Sequence, residues 1–274
     1  MSTSRSVLGL RLRGPMQSWG FESQYSHRNT GLFPTKSALV GMCCAAMGIC
    51  RGSADEAEVL QKFSDTEFLV VTSSHDNKPV RRLTDYHTVQ GTVTAEGKTK
   101  ETHLTHRQYL CDAGFIALFS GEKEFLTLVG ESLIDPVWGM WLGRKACVPS
   151  SPVFAGFFDS EGKALDVLLQ ELPQGDLLYR QDVAVFGEGG DSVMDVPISF
   201  KSESRKFVAR RIQEGIGTAL AIHLFRDEKA GLAQAARIAG VSASEMMDIL
   251  AAHQVPLVKY SADELADELG QFST

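Results

Sequence analysis

The chain has 274 residues, 43% of them hydrophobic and 22% charged, with a net charge of −7 and a pI near 5.5. That length suits one large domain or two modest ones with a sizeable core, and the acidic balance argues against a polyanion binder that works through its overall field. The cysteines are odd in number, Cys43 and Cys44 are adjacent, and no CxxC occurs, which suits a reduced, cytoplasmic chain that uses cysteine as a small apolar residue. The first residues, MSTSRSV, lack the apolar stretch of a secretion signal. No apolar run reaches the ~18 residues of a membrane span, so no membrane partner is expected.

Residues 6–13 alternate Leu8, Leu10 and Leu12 with Arg11 and Arg13, the period of a strand. Residues 14–35, with Gly14, Pro15, Gly20, Gly31 and Pro34, read as a long structured loop. The stretch PTKSALVGMCCAAMGI reads as a helix capped by Thr35 or Ser37 and buried closely by its small residues. Strands are expected at 67–72 and 113–119, and a polar extended arm or hairpin at about 78–110. A helix is expected at 122–134, and a loop at 138–154. Weaker elements are expected at 164–172 and 182–186, a glycine-rich turn at 186–192 and a strand at 193–200. This order predicts an α+β fold on a ferredoxin-like plan.

From residue 216 the pattern turns helical. LAQAARIAG stops at Gly240; Ser242, with Glu245 three residues on, caps a further helix that ends before Pro256. This is helix-turn-helix grammar. Residues 215–274 hold four basic side chains against eight acidic ones, and the second helix carries no Arg or Lys. A helix that reads DNA supplies donors to bases and phosphates, so a protein-interaction module fits better than a DNA-binding regulator.

Arg11, Arg13, Arg28 and Lys36 lie in the first loop system, Arg81, Arg82 and Arg107 on the arm, and Arg144 and Lys145 in the second loop. Trp19, Tyr25, Tyr86, His87, Tyr109 and Trp141 share these segments. Cations neutralise phosphates while aromatic faces stack unpaired bases, although solvated charges beside core aromatics would give the same spacing. Lys36 opens a helix whose free amides can hold an anion, or it is an exposed lysine beside an ordinary cap. The phosphate-loop signature is absent, and no cofactor is implied. His103 and His106 face opposite ways if extended, which argues against a metal site. His87 beside Tyr86 offers a general base, but the sequence supplies no nucleophile or second acid–base partner, so no catalytic residue is assigned.

In LRLRGPMQSWG followed by FPTKSALVGMCCAAMGI, then RLTDYHTV, HRQYLCDAGF, LGRKACVPSSPVF and the GGD of 189–191, the chain resembles the CasD family of subunits of the type I, subtype E, CRISPR surveillance complex, Cascade. The resemblance spans roughly residues 5–212. It implies a non-catalytic RNA-binding subunit with a ferredoxin-like, RRM-type core and a protruding β-hairpin thumb at about 78–110. Such a subunit caps the 5′ handle of the CRISPR RNA and contacts the large and backbone subunits, with target DNA inside the complex a further expected contact. The implied RNA-binding residues are Gln17, Ser18, Trp19, Arg28, Lys36, Ser37, Tyr86, His87, Arg107, Arg144 and Lys145, with Gln17 and Trp19 presented outward by the turn. Relatives in another subtype cut the guide precursor without metal, and that reading stays as the alternative. The stretch from ALAIHLF to SADELADEL resembles a family of small uncharacterised bacterial helix-turn-helix proteins, antitoxin-like. The expected division is therefore 1–212 and 213–274, the second part a small, mainly helical domain.

Overall fold

The structure, a computed structural model, describes residues 4–21, 23, 26–73, 80–94, 96–173, 175–185 and 190–256. Alternation in RSVLGLRLR sends Leu8, Leu10 and Leu12 inward as β1 (Arg5–Arg13). The segment expected to be loop holds two short strands, β2 (Met16–Gln17) and β3 (His27–Arg28). Helix α1 (Lys36–Ala46) starts on Thr35, whose hydroxyl accepts the Ala38 N–H. Helix α2 (Ala54–Ser64) has no counterpart among the predicted elements. Its signals are Ser53 ahead of Asp55 and Glu56, and a Val59–Leu60–Phe63 stripe.

Strand β4 (Glu67–Ser73) is followed by the hairpin β5 (Arg81–Val93) and β6 (Thr99–Cys111), then β7 (Gly114–Glu122) and α3 (Lys123–Ile134). The next elements are β8 (Phe154–Phe158), α4 (Glu161–Leu168), β9 (Leu177–Asp182), β10 (Gly190–Ser199) and β11 (Lys206–Ile216). Helices α5 (Gly217–Arg226), α6 (Leu232–Ala239) and α7 (Ala243–Ala252) complete the described chain.

Among the described residues, seven strands form one sheet in the order β10-β11-β9-β4-β7-β1-β8, every neighbouring pair antiparallel. The chain is thus α+β, built on an antiparallel sheet. Helices cover both faces. Phe115, Ala117 and Phe119 of β7 point to α1, α2 and α3, while Ile116 and Leu118 point to α4, α5, α6 and α7. A strand buried on both faces reads as a continuous apolar run, as AGFIALF does. A second sheet holds β2, β6, β3 and β5.

The division expected at residues 212 and 213 falls inside β11. Among the described residues, the helices that follow share their core with the sheet. Leu220, Leu224, Ile238, Met246 and Leu250 share one apolar cluster with Val7, Leu69, Val71, Ile116 and Leu118 of the sheet. Gly240, left-handed at φ 70°, ends α6, and the Ser242 hydroxyl accepts the Glu245 N–H at the start of α7, as the helix-turn-helix grammar predicts. Ion pairs from two side chains, Arg237 and Lys229, join this end to the rest. Arg237 donates twice to Asp166, at 2.6 and 2.5 Å. Lys229 donates to Glu67 at 2.6 Å and lies 3.5 Å from the buried Glu161, whose carboxyl burial pushes up in pKa. Residues 257–274, with most of the VPLVKYSADEL motif, lie outside the described residues.

Candidate nucleic-acid interface

The turn after β1 faces inward, which corrects the expectation that it presents Gln17 and Trp19. Gln17, Ser18 and Trp19 are all buried. The Gln17 amide donates to the carbonyls of Leu12 (3.0 Å) and Ala113 (2.6 Å), and its oxygen accepts the Trp19 indole N–H at 3.1 Å. The Trp19 backbone N–H donates to the Thr30 hydroxyl. A buried tryptophan needs a partner for its N–H, and this glutamine supplies it. The Ser18 N–H donates to the Leu142 carbonyl at 3.0 Å. Gly143, at φ +97°, lies so close that a Cβ would sit 1.8 Å from the Ser18 oxygen. The motifs GPMQSWG and LGRK therefore pack on each other.

Lys36 is buried as well, against the expectation of a lysine and a free helix N-terminus awaiting a phosphate. Its backbone N–H donates to Asp195 at 2.9 Å, so the anion at the start of α1 is a carboxylate of the chain itself. Its ammonium donates to the Thr66 carbonyl (2.5 Å) and to Asp182 (3.2 Å). Arg210 bridges Asp182 and Asp195 and lies 5.2 Å from the Phe68 ring centre. Burial lowers the Lys36 pKa, against the pull of Asp182. Burial works against the Arg210 cation too, but Asp195 and Asp182 hold its pKa above the ordinary value. Two cations and two anions close a neutral network that ties α1 to β9, β10 and β11.

Three of the predicted cations, Arg28, Arg107 and Arg144, come together on the hairpin. Strand β3 pairs in parallel with β6, setting Arg28 beside Arg107, and the antiparallel β5 sets Asp85 across from Arg107. Arg144 reaches over from the second loop. It donates to the carbonyls of Arg28 (2.8 Å) and Gln108 (3.2 Å) and stacks over Tyr109, 4.6 Å from its ring centre. Lys145 follows, exposed. Tyr86 is 60% exposed. His87, next in the strand, points to the opposite face and lies 3.6 Å from Asp85. The two are not gathered for joint acid–base chemistry. Arg11 and Arg13, read with the first loop system, both engage Glu171.

Ser37 lines a cavity of about 1020 Å³ between α1, the loop 138–143 and β10–β11. Phe21, Trp138, Trp141, Phe200 and Phe207 give it aromatic walls, and Arg51 and Arg205 also line it. Of these, the sequence reading named only Trp141; the WGMW stretch held the signal for Trp138. Tyr25 and residues 186–189 of the glycine-rich turn lie outside the described residues. Among the described residues, no three His, Cys, Asp or Glu side chains gather as a metal set, and no helix is long and apolar enough to cross a membrane.

Residues 7–213 match the CRISPR-associated protein family Cas5. The chain belongs to that family. It is 35% identical over 189 residues to the CRISPR system Cascade subunit CasD of Escherichia coli (strain K12), a match covering 65% of this chain and 83% of that protein. A chain of a CRISPR RNA-guided surveillance complex superposes with a TM-score of 0.61 at 27% identity, over 77% of this chain and 89% of its own. A structure described as a Cas protein superposes with a TM-score of 0.53 at 28% identity, over 77% and 94%. Residues 195–272 match the uncharacterised protein family UPF0175. The Cas5 and UPF0175 matches overlap on β10 and β11, so the two families meet within one strand pair.

Proposed function

We propose that this Cas5-family chain is the non-catalytic subunit of a CRISPR RNA-guided surveillance complex that holds the 5′ handle of the CRISPR RNA and contacts the large and backbone subunits. One observation carries the reading. Within the Cas5-family match over residues 7–213, β3, β6 and the second loop bring Arg28, Arg107 and Arg144 together, and Gly143, next to Arg144, lines the aromatic-walled cavity. Cations close to open aromatic surface suit a single strand whose bases are unstacked. Arg28, Ser37, Tyr86, His87, Arg107, Arg144 and Lys145 are the side chains assigned to RNA. Gln17, Ser18, Trp19 and Lys36 act beneath them, fixing the loop and helix on which they stand.

The order β8-β1-β7-β4 with its connecting helices supports a ferredoxin-like, RRM-type core, and the long β5–β6 hairpin supports the thumb. The helices after β11 supply a protein-interaction surface, and α7, without Arg or Lys, suits that role better than DNA reading. At a net charge of −7 the isolated chain is expected to bind RNA weakly, and neighbouring subunits to supply the missing positive field. The test is incubation of the assembled complex with 5′-labelled repeat RNA in chelator. Protection of the labelled 5′ end without new termini is expected. Cutting that disappears in His87→Ala would establish the guide-processing alternative instead.

A further inference from the structure

Three rings form a row across the hairpin base. Register places Tyr86 of β5 opposite His106 of β6, and His106 beside His27 of β3. The imidazoles of His27 and His106 stack with centroids 5.1 Å apart and planes 11° from parallel, and Tyr86 meets His106 edge-on at 5.2 Å. None of the three belongs to either apolar cluster, and Tyr86 and His27 are exposed. The row is therefore aromatic surface that folding leaves open. One residue further along β3 and β6, on the opposite face, stand Arg28 and Arg107, and Arg144 binds the Arg28 carbonyl.

We infer that the row Tyr86–His106–His27 is a stacking site for an unpaired nucleobase of the bound strand, the base lying against an exposed end of the row at Tyr86 or His27. His106 is enclosed between its two neighbours, so the open ring faces lie at the ends of the row, and an open aromatic face is what an unpaired base stacks on. The inference rests on the proposed RNA-holding role. The simpler role, ring packing that only holds β3 to the hairpin, predicts no contact with a base.

The complex is assembled with repeat RNA carrying 4-thiouridine at each handle position in turn, irradiated, and the adducts mapped. The same is done with a thiothymidine-bearing DNA target. Adducts on Tyr86, His106 or His27 with RNA are expected. Tyr86→Thr, which keeps strand propensity, should reduce RNA affinity about 5- to 100-fold with thermal stability unchanged. Should Tyr86→Thr fail to fold, His27→Ser carries the same expectation. RNA adducts confined to other residues, with parental affinity in these variants, overturn the stacking site. Adducts with DNA alone overturn its assignment to RNA. A parent complex that holds no RNA overturns the proposed function itself.

Discussion

Arg210→Met puts the buried network to the test. Among the described residues, Arg210 is the side chain hydrogen-bonded to both Asp182 and Asp195, and its removal leaves two carboxylates facing the single Lys36 ammonium. Breaking a buried pair from one side costs about 3–5 kcal/mol, because the remaining charge is left uncompensated. For a chain of this size that lowers Tm by roughly 6–20 °C. Adding Asp195→Asn restores neutrality with a side chain that can still accept the Lys36 N–H. The double variant should therefore lose less than the two singles together, by about 1–3 kcal/mol. Thermal unfolding of the four proteins reads this directly. A single variant within about 1 kcal/mol of the parent, or strict additivity in the double, refutes the network as the tie between α1 and β9–β11.

Gly143→Ala places a methyl group into the Ser18 carbonyl at a left-handed φ. It should cost more than about 1 kcal/mol and open the 138–147 loop to limited proteolysis. Ending the chain after Ile216 uncovers Leu69, Val71, Ile116 and Leu118, so the truncated protein should bind a hydrophobic dye and aggregate on expression, where a separate second domain would leave the rest intact. Hydrogen bonds from Arg237 hold the Asp166 carboxyl below the usual carboxylate range. Its contribution to stability is thus present above the unfolded-state pKa and lost as pH falls through the lower folded value, and Asp166→Asn should flatten that acid limb in pH-dependent unfolding. In the assembled complex, Arg107→Gln should make the log–log salt slope of RNA binding shallower by about 0.7, the share of one phosphate on a single strand.

Elements set by local chemistry were legible in the sequence. The alternation of β1, the start of α1 (read at Thr35 or Ser37 and found at Thr35) and the Gly240–Ser242–Glu245 turn were legible because each depends on neighbours a few residues apart. What failed depends on partners far along the chain. Trp19 looks exposed until Leu142 and Gly143 arrive beneath the turn, and Lys36 looks available until Asp182, Asp195 and Arg210 close around it. Strand β11 hid because KFVARRIQEGI places charged residues among its apolar ones, and its role as the strand joining two family patterns shows only in the sheet order. Basic residues were visible as a set, but sequence could not separate Arg11, held by Glu171, from Arg28 and Arg144 at the hairpin base.

The proposed role places the 5′ end of a guide RNA on this chain inside a larger particle. The direct measurement is to co-express the tagged chain with its genomic neighbours and a repeat–spacer array, weigh the purified particle, and sequence the 5′ ends of its RNA. A stoichiometric particle whose RNAs share one uniform 5′ end is the result predicted. A chain that purifies alone and without RNA would contradict the account.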